Sequence, residues 1–95
     1  MARRSSSSYK HYRFQTSPDG RKHETAGQAR KDIIGALEQR KAWCRKFEQE
    51  SLTKVETALG DARTAPIDGL KLGGSWGCSL AVGGSTFVYQ VLRIG

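Results

Sequence analysis

Hydrophobic and polar positions alternate over residues 9–15, Tyr-Lys-His-Tyr-Arg-Phe-Gln. Tyr12 and Phe14 share one face with Lys10, and Tyr9, His11 and Arg13 share the other. A period of two with aromatic enrichment predicts a half-buried strand. Ser17-Pro18-Asp19-Gly20 then predicts a turn, because proline presets φ and glycine supplies a positive-φ position. Residues 21–24 follow as a candidate short return strand.

The period next lengthens to between three and four. Thr25-Ala26-Gly27-Gln28 is a capping box: the threonine hydroxyl can accept from the amide three residues on, and the glutamine can reach back to the threonine amide. From there Ala26, Ala29, Ile33, Leu37, Arg40, Cys44, Phe47, Ser51, Val55 and Ala58 form one stripe at helical spacing, and Gly60 is a natural stop. A helix over 25–59 would be about 52 Å long, far beyond the roughly 12 Å radius of gyration of a compact domain of this size. Either it breaks near Ser51–Thr53, where Thr53 and Glu56 can form a second capping box, or its far end packs on another chain. The unbroken stripe favours one helix. An overhanging stripe implies a homo-oligomer or a docked protein partner, with Leu37, Arg40, Trp43, Phe47 and Val55 as interface residues.

Beyond Ala65-Pro66 the alternation returns. Leu70 and Leu72 flank Lys71, and Trp76, Cys78, Leu80 and Val82 share a face. Gly83-Gly84-Ser85 reads as a hairpin loop. The last segment, 86–94, is apolar on both faces, which is the mark of a central or doubly covered strand. The expected fold is α+β in the order β-α-β-β-β. One long amphipathic helix lies across a small antiparallel sheet, in which the first strand joins a C-terminal three-stranded meander. Residues 1–8 read as a disordered basic arm and 9–95 as a single domain.

Charge sharpens this picture. The 95 residues carry a formal charge of +7. Residues 1–24 hold six basic residues against two acidic ones, so +4 of the excess lies in the first quarter. Such an arm suits a polyanion. The expected nucleic-acid contacts are Arg3, Arg4, Tyr9, Lys10, His11, Arg13, Arg21 and Lys22, with cations for phosphates and tyrosines for stacking. Contacts of this kind carry little sequence specificity.

Other chemistries find little footing. His11 and His23 flank the first turn without an evident third ligand, so no metal site is expected. Cys44 lies on the apolar stripe and Cys78 alternates with Trp76 and Leu80, so both read as small core residues rather than nucleophiles. The glycine pairs at 73–74 and 83–84 do not lead from a strand into a helix, as a phosphate loop would. No catalytic residue, cofactor or small-molecule substrate is expected. With no apolar run of bilayer length, the expectation is a cytoplasmic protein with reduced thiols and no membrane partner. The run Tyr12-Arg13-Phe14 with Pro18-Asp19-Gly20-Arg21-Lys22, followed by a helix, resembles the three-stranded arm-binding domains of phage integrases, although no third strand precedes the helix.

Two readings follow. The first is a small, basic, non-catalytic nucleic-acid-binding protein. The second is a protein-interaction module (an adaptor, assembly component or small inhibitor) acting through the long helix and the C-terminal sheet.

Overall fold

The computed structural model describes residues 12–15 and 21–95. Strand β1 (Tyr12–Gln15) and strand β2 (Arg21–His23) form an antiparallel pair. Helix α1 (Ala26–Phe47) and helix α2 (Leu52–Thr64) follow, and strands β3 (Ser75–Val82) and β4 (Ser85–Arg93) complete the chain. The sheet is fully antiparallel in the order β2-β1-β4-β3. The fold is therefore α+β, with a long helix on a small antiparallel sheet. The two-faced apolar strand, β4, is central, between β1 and β3.

Two details differ from expectation. The strand order is β-β-α-α-β-β: residues 21–23 do form a strand, whereas Leu70 and Leu72 lie in a 3-10 exit and a turn. The Gly74 amide donates to the Lys71 carbonyl at 2.7 Å, which closes a turn here instead of a third meander strand, and the Gly73 amide donates to the Arg93 carbonyl at 2.8 Å, which ties that turn to the end of β4. The helix also starts directly after β2, so among the described residues no third strand of the integrase arm-binding pattern precedes it.

The second difference is the path of the helical region. It keeps its predicted start, with the Thr25 hydroxyl accepting from the Gln28 amide at 3.2 Å and Gln28 accepting from the Thr25 amide at 3.4 Å. It does not run straight to Leu59. Glu48 leaves helical geometry at φ −151°, ψ 72°, a 3-10 turn covers Gln49–Ser51, and α2 runs back along α1. Lys41–Glu56 and Arg63–Glu38 ion pairs at 3.6 and 3.5 Å stitch the two helices together. At the open end of this helical hairpin, Arg30 donates to the carbonyls of Ala62, Arg63 and Ala65 at 2.7, 3.0 and 2.6 Å. A cation there satisfies carbonyls that the end of α2 leaves without helical partners and opposes the helix dipole.

The fold-back gives the stripe its core. Ala29, Ile33, Leu37, Cys44, Val55, Ala58 and Leu59 pack with Phe14, Ile67, Leu80, Val82, Tyr89 and Val91 in one buried cluster. Both helices lie on the same face of the sheet, α1 over β1, β2 and β4 and α2 against β3. Among the described residues no element covers the other face.

Glu48 fastens the bend to the sheet. Its carboxylate accepts from the Ser51 hydroxyl and from the Gly83 amide at 3.2 and 3.3 Å. The Ser51 hydroxyl first, and the Gly83 amide second, hold this carboxyl below its ordinary range. A depressed carboxyl contributes stability that is complete above its unfolded pKa and is lost as pH falls through the folded one. The unfolding midpoint should therefore fall on the acid side of the carboxylate range, and Glu48→Gln should flatten that part of the pH profile. A thermal-melt series from neutral to acid pH for both proteins checks this. Gly83 sits at φ +63°, where a Cβ would lie 2.9 Å from the Trp43 ring. Gly83→Ala should thus cost about 1–3 kcal/mol, from left-handed strain and the displaced indole, as measured by urea unfolding.

Candidate nucleic-acid interface

Strand alternation sorts the basic residues of the first hairpin onto two faces. Tyr12 and Phe14 point into the core and are buried. Opposite them in register stand His23 and Arg21, whose side chains reach over the edge of the sheet to helix α1. There the Asp32 carboxylate accepts from Arg21 Nη2 and from His23 Nε2, each at 2.9 Å. Arg21 also lies 6.0 Å from the Phe14 ring centroid. Its charge is thus partly answered within the chain. A cavity of about 480 Å³ along this edge is lined by Arg21, Lys22, His23, Gln28, Lys31 and Asp32, so three full cations share one acid.

Arg13 and Lys22 point the other way, onto the open face. They are direct cross-strand partners, and Leu92 and Ser75 continue the same row across β4 and β3. Neither cation has an acidic partner among the described residues, and Arg13 Nε is buried without a hydrogen bond. Like charges set directly opposite each other on a sheet are destabilising. The rest of the face is small or uncharged: Gly77, Ser79, Ala81, Thr86, Val88 and Gln90. Val88 is 52% exposed. Gln90 lies over Gly77, whose absent Cβ would meet its Cβ at 3.5 Å, and donates to the Ser75 hydroxyl at 3.4 Å.

The remaining expected nucleic-acid contacts, Arg3, Arg4, Tyr9, Lys10 and His11, lie outside the described residues, as do the arm 1–8 and the turn 17–20. The expected interface set divides. Leu37 and Val55 are wholly buried in the chain's own core, whereas Phe47 is 63% exposed and Arg40 and Trp43 are half-buried beside it. The fold-back at Glu48 makes this division, since it turns the overhanging stripe inward. Lys31 is the cation that sequence reading left out of the site. Its neighbourhood with Arg21 and Lys22 depends on α1 crossing the β2 edge, which no local pattern encodes.

Among the described residues no group of three or more His, Cys, Asp and Glu side chains is placed to hold a metal. Cys44 is buried and Cys78 half-buried, both as free thiols, and loss of solvation raises both above the ordinary thiol range. No helix among the described residues is long and apolar enough to cross a membrane. Comparisons with protein-family models, with curated proteins and with solved structures find no match to this chain.

The like-charge pair gives a stability prediction. Lys22→Glu replaces repulsion with an Arg13–Glu pair and should stabilise the fold by about 0.5 kcal/mol, read from urea midpoints at low salt. A destabilised variant would show that the two cations are not in conflict.

Proposed function

We propose that this protein binds nucleic acid without catalysis and with low sequence specificity, contacting phosphates through the open face of its first hairpin. The observation that supports this reading is the Arg13–Lys22 pair: two cations directly opposite each other, with no acidic partner and no covering element among the described residues. A polyanion removes that repulsion and gains by counterion release. The adjoining sequence adds Arg3, Arg4 and Lys10, and Lys31 extends the positive rim beyond the β2 edge. Leu92, next in the row, offers an apolar surface to a base or sugar.

Phosphate contacts of this kind predict a steep salt dependence. Fluorescence anisotropy with labelled single-stranded and duplex DNA and RNA at low salt should show binding tighter than about 100 μM, the weak limit of non-specific association. The double variant Arg13→Gln/Lys22→Gln should weaken it and lower the log–log salt slope by about 2, roughly one per lost phosphate contact. Absence of binding in that range, or a slope unchanged in the double variant, would contradict the proposal.

A further inference from the structure

On the helix side of the sheet, away from the Arg13–Lys22 row, a cavity of about 440 Å³ lies between α1 and β4. Ala36, Gln39, Arg40, Trp43, Phe87 and Tyr89 line it. The Arg40 guanidinium lies 3.9 Å from the Phe87 ring centroid and 5.6 Å from that of Trp43. Its Nε is buried with no hydrogen-bond partner, and no acidic residue pairs with it among the described residues. Nearby acids are engaged elsewhere: Glu38 with Arg63, and Glu48 with Ser51 and Gly83. Phe47 extends the aromatic wall outward, with its ring centroid 5.3 Å from that of Trp43 and the Lys46 ammonium 5.4 Å away.

An arginine laid on an aromatic ring is fixed in plane, so little freedom remains to be lost when a planar anion meets its fork. We propose that this groove docks a protein segment that presents a carboxylate beside apolar side chains, with Arg40 gripping the carboxylate and Trp43, Phe47 and Phe87 packing the apolar part. The charge pattern selects this occupant. The lining holds one cation and no acid, whereas a nucleic-acid track needs cations repeated along a backbone. A second copy of the chain is disfavoured, since a two-fold contact through this patch brings the Arg40 and Lys46 cations of both copies into one interface whose lining supplies no acid. The proposal stands independently of nucleic-acid binding, which uses the opposite face.

Trp43 supplies the readout. The chain has two tryptophans, so a Trp76→Phe background leaves Trp43 as the sole indole. The probes are a short helical peptide with Glu and Leu on one face, its Gln-for-Glu isostere, and a single-stranded oligonucleotide. The Glu peptide should shift Trp43 emission saturably, and the isostere should bind about tenfold more weakly, the scale of one charge-assisted hydrogen bond. Arg40→Met should give a similar loss, while Arg13→Gln/Lys22→Gln leaves peptide affinity unchanged. If Arg40→Met fails to fold, Gln39→Glu on the exposed rim should weaken the Glu peptide in the same sense. Four results would overturn the proposal: no emission shift with either peptide at millimolar concentration, equal affinity for both peptides, a stronger Trp43 response to the oligonucleotide than to the Glu peptide, or self-association by light scattering that Arg40→Met abolishes.

Discussion

The Glu48 carboxylate is the constraint on which the arrangement of this molecule depends. It stands where α1 ends, bonds the hydroxyl of Ser51 in the bend, and reaches the Gly83 amide in the turn of the β3–β4 hairpin. The bend and the β3–β4 hairpin, two separated pieces of chain, are thereby joined at one point. Trp43 reinforces the join, because Gly83 lacks the Cβ that would strike its ring. With that point secured, α2 returns along α1, Arg30 closes the far end of the helical hairpin on the α2 carbonyls, and the apolar stripe is folded against itself and the sheet.

Both candidate surfaces follow from this closure. The two helices share one sheet face, so among the described residues the other face is uncovered, and the alternation of β1 and β2 carries Arg13 and Lys22 onto it. The bend also ends α1 at Phe47, which leaves Phe47, Trp43 and Arg40 at the surface while Leu37 and Val55 are buried. Each surface retains a conflict that the fold does not resolve by itself: two like charges in register on one side, and an arginine on aromatic rings without an acid on the other. Such local conflicts are expected where a chain meets a ligand.

Local patterns made much of the fold legible. The capping box at Thr25–Gln28, the burial of Tyr12 and Phe14, the facing of Trp76, Cys78, Leu80 and Val82, and the central place of the last strand all follow from spacing and residue type. The bend was harder to read, because the helical stripe continues in step through Ser51 and Val55 on either side of it. The bend sets Glu48 on the Gly83 amide, 35 residues away, a contact that no periodicity reveals. Leu70 and Leu72 alternate like a strand, yet the Gly74 amide bonds the Lys71 carbonyl and closes a turn there. Of the basic set, sequence could not separate Arg21, answered by Asp32, from Arg13 and Lys22, because Asp32 meets β2 only through the crossing of α1.

The measurement that bears most directly on the account is a backbone amide NMR titration with a single-stranded oligonucleotide at low salt. The account predicts that shifts concentrate at Arg13, Lys22 and Leu92 and along the β2 edge at Lys31, while amides facing the helical hairpin at Phe87 and Tyr89 stay in place. Shifts centred on Arg40, Trp43 and Phe87, or none at all, would contradict it.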